Sequence, residues 1–157
     1  ASGLVHQIFR ITKPNLPLGG YQDNVFKLYF VDVGLLTAKT GLDVSVLLAG
    51  NRLFTEFKGA LTEQYVLQQL LVSGLEPIFY WGLERAVAEV DFVVQHSSQI
   101  IPIEVKAEEN LKAKSLRSYY DKFKPDKVFR TSMSDYRKQD WLVNLPLYAL
   151  ANFRSLE

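Results

Sequence analysis

The sequence predicts an α/β domain in which a helix, three strands, a second helix and a further strand follow one another. Three observations carry that reading. Phe57, Ala60, Leu67, Leu70 and Leu71 recur at helical spacing over 57–72, and Gly74 is placed to end the helix. Glu89–Gln95 and Gln99–Ala107 alternate as strands about a Ser97-Ser98 turn. A second helical pattern runs from Leu111 to Phe123, with Leu116, Tyr119, Tyr120 and Phe123 on its apolar side, and Pro125-Asp126 breaks it.

Composition bounds the possibilities. At 157 residues and 48% hydrophobic, the chain can bury one sizeable core and is too apolar for a disordered tail. Eighteen basic residues against seventeen acidic ones leave a net charge of +1, so bulk electrostatics would not hold the chain to nucleic acid. Any such contact needs a local patch. With no cysteine, disulfides and thiolate metal sites are excluded, and a cytoplasmic location is expected. No apolar run approaches the roughly 20 residues needed to cross a bilayer, and no membrane partner is expected. The opening Ala1-Ser2-Gly3-Leu4 is neither an initiator Met nor a signal peptide, so a fragment of a longer protein is expected.

The elements follow in order. Residues 1–25 read as a connector, because Pro14, Pro17, Gly19 and Gly20 interrupt regular structure, although Leu4 to Ile11 would suit one strand. The domain proper is expected over 26–157. Its first segment, Phe26 to Leu36, is apolar enough to be buried and stops near Gly41, but periodicity does not decide between strand and helix. In the helix over 57–72, Glu63 lies within the apolar stripe, so its carboxylate must face the core or a cleft in it. Pro77 to Trp81 is a short apolar strand, the hairpin follows, and Lys127 to Thr131 reads as another strand after the second helix. The apolar tail from Trp141 to Phe153 is expected to pack back onto the domain.

The hairpin concentrates the chemistry. A turn centred on Ser97-Ser98 sets position 91 opposite 104 and 89 opposite 106. Glu89, Asp91, Glu104 and Lys106 then share one face, and Val90, Phe92, Val94, Ile101, Ile103 and Val105 share the other. Facing carboxylates repel, so protonation, Lys106 or a divalent cation must offset them. Mg²⁺ prefers oxygen ligands and commonly binds one or two carboxylates plus substrate phosphate. Glu63 would add a further oxygen if its helix packs on the polar side. Two plainer readings stand beside this one: alternating charges most often mark a solvated face, and Asp91 and Glu104 could salt-bridge Lys106 and Arg85.

The runs Glu89-Val-Asp91-Phe-Val-Val and Ile101-Pro-Ile-Glu104-Val-Lys106, in this order of elements, resemble the PD-(D/E)XK nuclease superfamily. More narrowly, Phe26-Lys-Leu-Tyr-Phe-Val-Asp-Val-Gly-Leu-Leu36, Gly59-Ala-Leu-Thr-Glu63, a strand ending near Tyr80-Trp81 and then the hairpin resemble the domain of unknown function at the C-terminus of prokaryotic AAA-type ATP-binding proteins. The resemblance covers roughly residues 20 to 135 and implies a restriction-endonuclease-like α/β core, its mixed central sheet flanked by helices. It makes Asp91 and Glu104 ligands of Mg²⁺ (or Mn²⁺), assisted by the backbone carbonyl of Val105. Lys106 would activate water and stabilise phosphate charge, and Glu63 would be the accessory acid.

The implied function is metal-dependent hydrolysis of phosphodiesters, with nucleic acid, DNA in the first place, as partner. The alternative is an inactive nuclease-fold module for nucleic-acid docking or protein interaction. Many DNA-processing members carry Gln and Tyr on the helix after the Lys, whereas Leu116-Arg-Ser-Tyr-Tyr-Asp-Lys-Phe123 has Tyr but no Gln. No Gly-rich phosphate loop occurs, so the ATPase part of the same polypeptide, which residues 1–25 would connect, lies outside this chain. Lys112, Lys114 and Arg117 head the one basic concentration, a phosphate-tracking patch or the wet side of a helix. His6 and His96 are isolated and expected as non-ligands, and Trp81 and Trp141 are expected as core or interface aromatics.

Overall fold

The structure, a computed structural model, describes residues 3–43, 45, 55–83, 88–107 and 113–156. Its strands are β1 (Val5–Ile11), β2 (Gln22–Phe30), β3 (Ile78–Gly82), β4 (Glu89–His96), β5 (Gln99–Lys106), β6 (Phe129–Ser132), β7 (Arg137–Lys138) and β8 (Val143–Pro146). They form one mixed eight-stranded sheet in the order β2-β1-β3-β4-β5-β6-β8-β7. The helices are α1 (Val33–Thr40), α2 (Thr55–Val72) and α3 (Lys114–Phe123), with 3₁₀ segments at Leu18–Tyr21 and Leu147–Leu156. Among the described residues, no helix is long and apolar enough to cross a membrane.

The first two strands revise the reading of residues 1–25 as a connector. β1 pairs antiparallel with β2 and parallel with β3, and Ile8 and Ile11 are buried, so this stretch is built into the sheet. Its proline- and glycine-rich end is a short 3₁₀ turn whose Leu18 is fully buried. The ambiguous segment from Phe26 to Leu36 is both things in turn. It runs as strand to Phe30, and Asp32, in extended conformation, then caps α1 by accepting the Leu35 amide at 2.7 Å. Gly41, at φ 66°, ends that helix in the left-handed conformation that glycine tolerates.

α2 extends from Thr55 to Val72, and Gly74 closes it at φ +68°, with its amide on the Leu71 carbonyl and that of Leu75 on Leu70. The hairpin turn is where the sequence puts it. Ser97 adopts φ 54°, and the pairs run from His96↔Gln99 to Phe92↔Ile103 in the register read from the turn. The strand expected from Lys127 forms at Phe129–Ser132, and α3 is described from Lys114 onward; Leu111 and Lys112 lie outside the described residues.

Two apolar layers sandwich the sheet. On one face, Val66, Leu67 and Leu70 of α2 pack with Ile8, Tyr29, Tyr80, Phe92 and Ile103. The tail returns to this layer: after β8 lies down parallel to β6, Leu150 and Phe153 are fully buried, the Phe153 ring 5.0 Å from that of Phe129. On the other face, Leu116 and Tyr119 of α3 pack with Ile11, Phe79, Trp81, Val90 and Val93. Trp81 meets Tyr119 and Phe123 edge to face at 5.2 and 5.7 Å, a core role as expected.

Candidate functional site

The strict alternation expected of β4 fails at one place. Against β3 the register runs Phe79↔Val93 and then Trp81↔Val90, so Asp91 and Phe92 together stand opposite the single residue Tyr80. This is a β-bulge, which re-aims side chains and often lies beside functional sites. Its effect is to move Val90 off the face where alternation put it: Val90 joins Val93 under α3, while Phe92 and Val94 stay under α2. The expectation of one charged face and one apolar face is corrected accordingly, since both faces of the hairpin build core. At the bulge Asp91 turns its carboxylate onto β5, where Oδ2 accepts the Val105 backbone amide at 2.7 Å.

α2 brings the second group of polar residues. Gln64, 2% exposed, bonds both backbone groups of Phe30, accepting its amide at 2.8 Å and donating to its carbonyl at 2.6 Å. That two-point clamp fixes α2 against the end of β2 and presents the neighbouring Glu63 to the strand. Glu63 Oε2 accepts from the Tyr29 hydroxyl at 3.0 Å and lies 3.9 Å from Lys27 Nζ. Lys27 also pairs with Glu89 at very short range, and its ammonium stands 5.1 Å from the centre of the Tyr80 ring. Glu63 is partly buried, and β2 supplies two partners for its carboxylate.

On β5, Lys106 Nζ holds Glu104 Oε1 at 2.7 Å. Glu104 is only 4% exposed, and its other oxygen is buried without a hydrogen-bond partner among the described residues. Burial pushes the Glu104 carboxyl above its usual range and the charges of Glu63 and Glu89 add to that, against the pull of Lys106. Asp91 is raised further, to about 8: desolvation leads, the charges of Glu63 and Glu104 add, and the Val105 amide and Lys27 oppose. Lys27 goes the other way from its burial, which would lower it; the hydrogen bond to Glu89 and the charges of Glu63, Glu89 and Asp91 outweigh that and hold its ammonium charged. Tyr29 is pushed well up by burial and by Glu63, and stays a hydroxyl donor. Arg130, beside Glu104 in the next strand, adds a positive charge toward it, with Nε fixed on Asn144 Oδ1 at 2.9 Å.

The charges of Glu63 and Glu104 both act on Asp91, and Lys106 pairs with Glu104. α2, however, packs on the Ile101, Ile103 and Val105 side of β5, which alternation makes the side opposite Glu104 and Lys106. Among the described residues, no three acidic or histidine side chains converge closely enough to hold a metal by themselves. The donor set still suits a hard cation that completes its shell with water and phosphate: Glu104 has a buried unpartnered oxygen, and Asp91 is a carboxyl whose proton a cation could displace.

The basic residues expected on the second helix divide. Lys112 lies outside the described residues, Lys114 is exposed, and Arg117 pairs with Asp121 at 3.0 Å and stacks 5.1 Å over Trp141. α3 packs on the face opposite α2, so Lys114 and Arg117 stand across the sheet from Glu63. Arg85 also lies outside the described residues.

A family model described as a domain of unknown function (DUF4143) matches residues 58–150, more than half of the chain. The chain belongs to the DUF4143 family. No curated protein and no solved structure gives a match. The DUF4143 match takes in Glu63, Asp91, Glu104 and Lys106 but stops short of β2. Lys27 and Tyr29, which reach Glu63 from outside the matched stretch, are site residues that the sequence reading did not single out. A signal existed: alternation along Phe26-Lys-Leu-Tyr-Phe puts Lys27 and Tyr29 on one side and Phe26 and Leu28 on the other. Gln64 gave no such signal, because its role is a tertiary contact with backbone.

Proposed function

We propose that this DUF4143 domain is a metal-dependent nuclease-type domain with a restriction-endonuclease-like core, acting on the phosphodiesters of DNA beside an AAA-type ATPase part of the same polypeptide. The observation that carries the reading is the junction of β4 and β5, where a bulge turns Asp91 toward β5 beside a Glu104 whose buried Oε2 has no partner among the described residues. The resemblance of Glu89-Val-Asp91 and Ile101-Pro-Ile-Glu104-Val-Lys106 to PD-(D/E)XK nucleases supports it.

In this reading Asp91 and Glu104 would hold Mg²⁺ (or Mn²⁺), and the Val105 carbonyl would add a third oxygen. Bound there, the ion supplies polarisation of the phosphate and a water of lowered pKa. As a ligand Asp91 would have to be ionised, which would join metal affinity to pH. Lys106, held on Glu104, supplies a fixed ammonium where charge grows on the phosphate. Glu63 keeps its orientation through the Tyr29 hydroxyl.

Calorimetry with Mn²⁺ on wild type and Asp91→Ala tests the metal site, and equal, negligible heats would refute it. Cleavage of single-stranded, duplex and branched DNA, lost in Lys106→Ala, tests the chemistry. One observation favours the second reading, a non-catalytic docking module: Lys106 already has Glu104 as an ion-pair partner, which is what a purely structural role would need. Metal binding without cleavage of any of the three DNA forms would select it.

A further inference from the structure

Lys27 comes from β2, outside the DUF4143 match, yet reaches Glu63 of α2 and Glu89 of β4. Its ammonium bridges carboxylates from two different elements, Glu89 of β4 and Glu63 of α2, and sits over the Tyr80 ring of β3. Glu63 Oε2, the atom nearest Lys27, is also the acceptor of the Tyr29 hydroxyl. In a two-metal phosphodiesterase the second ion takes such a place, bridging acids beside the first ion. We infer that Lys27 is a built-in counter-ion standing in for a second divalent cation between Glu63 and Glu89, so that the domain takes one metal ion rather than two.

The physical case is one of charge and space. Glu63 and Glu104 act on Asp91, Glu63 and Glu89 act on Glu104, and Lys106 pairs with Glu104. Glu63 and Glu89 would repel without a cation between them, and Lys27 provides it within the chain, requiring no ion from solution. Its burial would favour the neutral amine, but the surrounding acids hold it charged. A divalent ion cannot share that place with the ammonium, because like charges would meet between the same two carboxylates. Asp91 and Glu104 remain for a single ion. This inference rests on the metal reading above for that first ion, but not for the role of Lys27.

Mn²⁺ stoichiometry separates the two. Equilibrium dialysis and low-temperature electron paramagnetic resonance are applied to the whole chain as wild type, Lys27→Met and Lys27→Arg. Met keeps the length and apolar stem of the side chain, and Arg keeps the cation. The expected result is one ion with an isolated-ion spectrum in wild type and Lys27→Arg. Lys27→Met takes two, with dipolar broadening between them. Two ions in the wild type overturn the inference while leaving the metal reading intact, and need no variant to fold. One ion in both wild type and Lys27→Met also overturns it. No ion in wild type but one in Lys27→Met sustains the role of Lys27 and overturns the Asp91–Glu104 site. No ion in either overturns both.

Discussion

The Asp91 carboxylate accepts the Val105 amide at 2.7 Å, so a side chain of one hairpin strand serves a backbone group of the other. The bond exists because the bulge opposite Tyr80 gives β4 one residue more than β3 can pair. It places an acid in a desolvated position beside Glu104, and it ties the hairpin end to the protonation of that acid.

The pH dependence of stability follows from Asp91. Its carboxyl is raised from 3.8 to about 8 in the folded state, so the folded chain holds a proton that the unfolded chain releases. This contribution is fully present below the unfolded value and is lost as pH climbs toward the folded one. Glu104 is raised as well and works in the same direction. Urea unfolding across roughly pH 5 to 8 should show the wild type losing on the order of a few kcal/mol relative to Asp91→Asn, which keeps an acceptor for Val105 and does not titrate. Parallel pH profiles for the two proteins would refute the assignment.

Gln64 should matter out of proportion to its exposure on a helix flank. Its amide satisfies both the N–H and the C=O of Phe30, and Gln64→Ala leaves them to find other partners. The expected cost is about 1–3 kcal/mol by chemical denaturation, with Gln64→Glu also destabilising because a carboxylate cannot donate to the carbonyl.

The tail is core rather than appendage. Phe153 is fully buried against Phe129 and the α2 layer. Phe153→Ala should cost roughly 3–5 kcal/mol, the range for deleting a buried aromatic ring. A midpoint of urea unfolding unchanged from wild type would show that the segment after β8 does not pack as described.

Lys114 and Arg117 should be dispensable for the chemistry. On α3, Arg117 is engaged with Asp121 and Trp141. Lys114→Ala combined with Arg117→Ala should leave DNA cleavage within about twofold of wild type, while Lys106→Ala abolishes it. A tenfold loss of DNA affinity in the double variant, with a shallower salt dependence, would instead restore the phosphate-tracking role.

What the sequence determined alone was local: the stop of α2 at Gly74, the Ser97-Ser98 turn with its register, the break after Phe123, and the presence of Asp91, Glu104 and Lys106 on neighbouring strands. These follow from glycine conformations, turn geometry and two-residue alternation, all of which act within a few residues. The tertiary structure decided what depends on partners distant along the chain. Val5–Ile11 joins the sheet because β2 and β3 flank it, and β8 forms because β6 offers an edge. The bulge that parts Val90 from Phe92 is set by pairing with Phe79 and Trp81, which periodicity within β4 does not contain. Lys27 and Glu63 lie 36 positions apart in number and meet only because Gln64 fastens α2 to the end of β2. The hairpin of acids was legible in the sequence; Lys27 and the Gln64 clamp are long-range contacts, and only the fold brings them to Glu63.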